Sequence, residues 1–224
     1  MKRFVRENGL TLFFGLLLLL ALVGQSVAGR AEFNNQQLAE GLEQVSYVQY
    51  LTTSDFAVDI AENWQSEFLQ FFLFISVTVW LVQRGSTESK ELGKEGRESD
   101  EDQKVGDYAP PDAPSWARVG GLRLAIYSRS LGLAMGSIFL LSWLAQSIAG
   151  RAAYDGQQLS QLEDPVSWVG YLGSADFWSR SLQNWQSEFL AVAAMAALSI
   201  YLRQRGSPES KPVGSPHTTT GEEG

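Results

Sequence analysis

The sequence predicts an all-α membrane protein: four transmembrane helices arranged as two tandem parallel-repeat hairpins, with helical or irregular outer loops. Three observations predict it. The apolar residues fall into four blocks instead of being spread as a soluble core requires. The chain repeats itself at an offset of 121 residues, and basic residues avoid the stretches that join the blocks within each repeat.

The repeat is read letter by letter. Asn63-Trp64-Gln65-Ser66-Glu67-Phe68-Leu69 returns as Asn184-Trp185-Gln186-Ser187-Glu188-Phe189-Leu190. The same offset aligns Gln25-Ser26 with Gln146-Ser147, Gly29-Arg30-Ala31 with Gly150-Arg151-Ala152, and Gln83-Arg84-Gly85-Ser86 with Gln204-Arg205-Gly206-Ser207. No insertion or deletion interrupts it, so the parts are 1–90, a first two-helix repeat; 91–117, an acidic Pro-containing linker; 118–211, a second repeat; and 212–224, a tail expected to be disordered.

Composition narrows the chemistry. With 25 Asp and Glu against 17 Lys and Arg, the chain is acidic, which argues against a nucleic-acid partner because phosphate binding needs a basic surface. Cysteine is absent, and the single histidine, His217, lies in the polar tail. Thiol nucleophiles, imidazole bases and Cys- or His-ligated metal sites are thereby removed, and no catalytic set, metal or cofactor is expected. A membrane enzyme would have to run on carboxylates alone and is the least favoured reading.

The first block, 10–28, follows Lys2, Arg3 and Arg6. A cleaved signal peptide is its rival, since small residues close the run. The third block, from Leu131, has the same small-residue ending at Gln146-Ser147-Ile148-Ala149-Gly150 inside the chain, which favours a retained helix. The second and fourth blocks, 68–82 and 189–202, are short for a hydrocarbon core of about 30 Å. Adding the preceding turn completes each span, with Trp64 and Trp185 as anchors at the outer interface and Glu67 and Glu188 at the edge of the slab.

Orientation follows from charge. Fourteen of the seventeen basic residues lie outside the two interhelical loops, which hold only Arg30, Arg151 and Arg180. By the positive-inside rule both termini are cytoplasmic and loops 29–62 and 150–183 face outward. Each loop is long enough for its own structure, with Thr53 or Ser54, and Ser174 in the second copy, as caps for helices running into the second and fourth spans. A stripe through Phe56, Ile60, Trp64 and Phe68 would give the first of these an apolar face. At the inner ends, Arg84 and Arg205 anchor the cytoplasmic interface and Gly85 and Gly206 read as helix stops.

The candidate site is a polar cluster near the outer face: Gln25, Arg30, Asn63, Glu67, Gln146, Arg151, Asn184 and Glu188. A carboxylate near membrane depth is costly without a partner, and Arg30 and Arg151 end the neighbouring spans on the same side. The pairs are either staples between helices or a functional site, and the sequence favours staples. Gln25-Ser26 and Gln146-Ser147 suit bonding between helices, and Gly132 with Gly136 has the spacing of close helix approach.

With the Gln-Ser-x-Ala-Gly-Arg ending and the Asn-Trp-Gln-Ser-Glu-Phe-Leu opening in place, the chain resembles a family of uncharacterised bacterial integral membrane proteins, described as a domain of unknown function. The resemblance implies a bacterial membrane location and supplies no activity. The expected function is a structural or interaction component of the cell membrane, in contact with the lipid bilayer and with an unidentified protein partner or further copies of itself. The alternative is a small transporter or channel in which Glu67 and Glu188 handle a proton or cation.

Overall fold

Residues in the left-handed conformation follow α2 and α6, a β-branched run ends α4, and apolar runs without proline let the long helices extend. The structure, a computed structural model, describes residues 2–221; Met1 and the Glu222-Glu223-Gly224 end of the expected tail lie outside the described residues. Helices and irregular segments make up the described residues, with no strand among them. In order the helices are α1 (Lys2–Glu7), α2 (Gly9–Ala39), α3 (Tyr47–Tyr50), α4 (Ser54–Val77), α5 (Gly121–Tyr127), α6 (Ser130–Ser160), α7 (Trp168–Leu172) and α8 (Ala175–Tyr201), with a 3₁₀ turn at Gly106–Tyr108.

α2 and α6 each have 31 residues. Both begin and end 121 residues apart. Leu and Ala, strong helix formers, fill much of both, and at about 1.5 Å per residue each is about 46 Å long. These two helices are long and apolar enough to cross a membrane. Their last turns turn polar, with Glu32, Asn34, Gln36 and Gln37 in α2, so what the sequence assigned to the start of the outer loops is still helix.

α2 stops at Gly41, whose φ of 74° lets the Leu42 N–H reach back to the Gln37 carbonyl at 2.8 Å. This six-to-one bond is the helix stop that glycine favours. After α6 the same bond joins the Glu163 N–H to Gln158 O at 2.8 Å, but the turning residue is Leu162 at φ 62°. A leucine there carries the steric penalty that glycine avoids.

α4 and α8 enter from the loops with acidic first turns, Asp55 and Asp176. Thr53 caps α4, its hydroxyl accepting from the Phe56 N–H at 3.2 Å. The aromatic stripe is not the most buried face: Val58, Ala61, Gln65 and Leu69 are buried, whereas Trp64 is exposed. α4 also ends five residues before the expected Val82. Val77, Thr78 and Val79 are β-branched, and the Thr78 hydroxyl bonds back to Phe74 O at 2.6 Å, which competes with continued helix.

Gly85 and Gly206 are therefore not helix stops. They lie in the left-handed region, at φ 84° and 79°, as third residues of two matching turns. The turns close through Ser86 N–H to Gln83 O at 3.1 Å and Ser207 N–H to Gln204 O at 3.2 Å, the position where a type II turn favours glycine. Both are braced alike: the Gln83 N–H donates to Ser89 Oγ at 2.7 Å and the Gln204 N–H to Ser210 Oγ at 2.9 Å.

The described chain divides into two units, Met1–Ala61 with Ala145–Asp176 and Glu62–Leu144 with Phe177–Gly224. The first holds all of α2, the end of α6 and the short helices α3 and α7. In the second, Trp143 of α6 stacks on Phe139 and Phe177 and meets Trp178 and Trp185 of α8, while its indole donates to Ser181 Oγ at 3.3 Å. Of the two spaced glycines only Gly136 serves close approach, its missing Cβ leaving room for the Phe72 ring; Gly132 faces open space. Lys211 is buried in the second unit, its ammonium donating to the carbonyls of Gly85 at 2.7 Å, Thr219 at 3.0 Å and His217 at 3.1 Å. Those bonds satisfy a charge that would otherwise be costly to bury.

Candidate functional site

The first unit builds the same cap twice. In the first copy Arg30 Nε donates to the Val45 carbonyl at 3.1 Å, and Asn34 holds both sides of the same residue, accepting from Val45 N at 2.8 Å and donating to Val45 O at 3.1 Å. In the second, Arg151 Nε donates to Val166 O at 2.8 Å and Asp155 Oδ1 accepts from Val166 N at 2.8 Å. Arg151 and Asp155 also pair at 3.2 Å. One helical turn separates each arginine from its Asn or Asp, so both face the returning loop.

The loop then starts a short helix in each copy. Ser46 and Ser167 cap α3 and α7 by accepting from the backbone N–H groups of Gln49 and Gly170. In α3 the Gln49 side chain also accepts from the Ser46 N–H, completing a capping box. The first residues of these helices bond back to the long helices α2 and α6: Ser26 Oγ and Tyr47 OH lie 2.6 Å apart, and the Trp168 indole donates to Ser147 Oγ at 3.1 Å. In each Gln-Ser pair the serine bonds to the cap.

Tyr50 and Tyr171 close the caps. Both are buried, and each hydroxyl occupies the space over Gly29 or Gly150 that a Cβ would fill. Tyr50 packs on Phe33 and Phe56, and Tyr171 on Tyr154. The Tyr171 hydroxyl donates to Asp176 Oδ2 at 3.0 Å. Burial, then Asp59 and Asp55, pushes the Tyr50 phenol above its ordinary value.

The remaining candidates belong to the second unit. Asn184 is half-buried and donates to Arg180 O at 2.9 Å; Asn63 is exposed, and its carbonyl accepts the Ser66 hydroxyl at 2.9 Å. Glu67 is exposed and Glu188 half-buried, and the two carboxylates lie within electrostatic range of each other. The Trp185 indole donates to Oε1 of the fully buried Gln65 at 2.7 Å, beside the Arg180–Glu62 ion pair at 3.3 Å. Trp64, Arg84 and Arg205 are exposed.

Of the eight polar candidates, Arg30 and Arg151 are brought into cap bonds, and Gln25 and Gln146 sit one residue before the cap serines, half-buried and buried. The ion pairs among the described residues do not include Glu67 or Glu188. Sequence reasoning missed Asn34, Asp155, Val45, Val166, Ser46 and Ser167. The signal was present: Val45-Ser46 returns as Val166-Ser167 at the same offset, and an Asn or Asp stands four residues after each arginine.

The family comparison matches a domain of unknown function (DUF6766) over residues 1–222. No curated protein and no solved structure matches.

Proposed function

The chain belongs to the DUF6766 family, a domain of unknown function, and we propose that it is a four-span protein of the cell membrane acting as a structural or interaction component. In this reading α2, α4, α6 and α8 span, both repeats insert the same way up, both termini are cytoplasmic, and the caps at 29–62 and 150–183 face outward. The supporting observation is the cap built twice, with arginine, Asn or Asp, serine and tyrosine spent on holding a loop against a helix. Such a surface is fixed in shape, which suits recognition by a partner.

A second reading, a proton or cation pathway, draws on the mutual field of Glu67 and Glu188 at the ends of the apolar runs. A carboxylate near membrane depth favours taking up a proton or cation. Reconstitution into liposomes separates the two. The structural reading expects no proton or cation flux above empty vesicles and no change on Glu67→Gln with Glu188→Gln. A flux abolished by those substitutions establishes the pathway instead.

A further inference from the structure

One packing face occurs twice in this chain, and each half of it is used only once. Within the second unit the Trp185 indole donates to Gln65 at 2.7 Å, and around that bond Gln65, Ser66 and Leu69 are buried. The repeat supplies the same letters with the roles exchanged, Trp64 as donor and Gln186 as acceptor, and both are exposed. Leu69 is 8% exposed, whereas its counterpart Leu190 is 67% exposed. A symmetric pairing would have used both halves. The one-way bond is a heterologous contact, which leaves a spare donor face on α4 and a spare acceptor face on α8.

We propose that these two faces bind a second copy of this chain, Trp64 of one seating on the Gln186–Leu190 face of the other and reproducing the Trp185–Gln65 contact. A closed dimer is the smallest assembly in which every repeat is satisfied. Lipid would cover Leu190 and interfacial water would solvate the Gln186 amide; Trp64 of a second copy satisfies both in one contact. The flanking ion pair has no charged equivalent, because Asp59 and Gln183 stand at the matching positions of Arg180 and Glu62. The contact between copies therefore rests on the indole–amide bond and the leucine, with tryptophan as the kind of anchor that dominates interfaces.

This inference rests on the membrane reading and names its partner. The naturally Cys-free chain allows a direct test. Trp64→Cys and Gln186→Cys chains, mixed in proteoliposomes and oxidised with copper phenanthroline, are expected to form a covalent dimer. Its yield should exceed that of a Leu140→Cys and Leu198→Cys mixture, two exposed apolar positions elsewhere, at least about tenfold. Native mass spectrometry of the wild-type protein in nanodiscs should give at least twice the chain mass, and Gln186→Ala should weaken association about fivefold. Cross-linking no better than the control, or a wild-type monomer, overturns the inference. Release of the protein from membranes by alkaline carbonate is the separate result that would sink the membrane reading.

Discussion

Gly29 and Gly150 are the residues on which each cap closes, because the hydroxyls of Tyr50 and Tyr171 stand where a side chain would begin. Gly29→Ala forces the Tyr50 ring outward, and overpacking of this kind costs about 1–3 kcal/mol. Tyr50→Phe removes the colliding oxygen, so the double variant should regain much of the loss; thermal unfolding in detergent of the two single variants and the double checks this. Leu162 is the opposite case. It holds a left-handed conformation at φ 62° where the first copy has Gly41, and its side chain is 96% exposed. Leu162→Gly therefore gives up no packing and relieves strain worth about 1 kcal/mol, read as a raised unfolding midpoint. Gly41→Leu should lose a comparable amount.

At the scale of elements, the caps depend on a single loop residue in each copy. Val45 and Val166 are held by Asn34 and Asp155, four residues after the arginines that take the same carbonyls. Asn34→Ala leaves the Val45 N–H without its acceptor, a loss of about 1–3 kcal/mol. Amide exchange at 45–50 should then accelerate at least about tenfold while α6 is unaffected; unchanged exchange would remove Asn34 from the cap's support. The long apolar helices α2 and α6 were legible from their apolar runs, and the Thr53 cap from its residue type. The stop of α4 at Val77 was not, because an apolar β-branched run reads as continued span until Thr78 bonds back to Phe74. Val45 escaped notice because its part is played by backbone atoms, which its side chain does not advertise.

For the whole molecule, a 121-residue offset relates the bounds of α2 and α6, the caps and the inner turns, yet α4 and α8 end at unmatched positions and their packing is unequal. Gln65 is buried and Gln186 exposed although the seven residues around them are the same. Identity of sequence therefore made the repeated local structure legible, while the asymmetry arises from which copy's tryptophan meets which copy's amide. The proposed topology has four spans, with both caps outside and the linker inside. Glu43→Cys, Asp164→Cys and Glu101→Cys, each in the Cys-free chain, place one thiol on either cap and on the linker. A membrane-impermeant maleimide applied to intact cells should label positions 43 and 164 and reach 101 only after permeabilisation. Labelling at 101 from outside, or of one cap without the other, would contradict it.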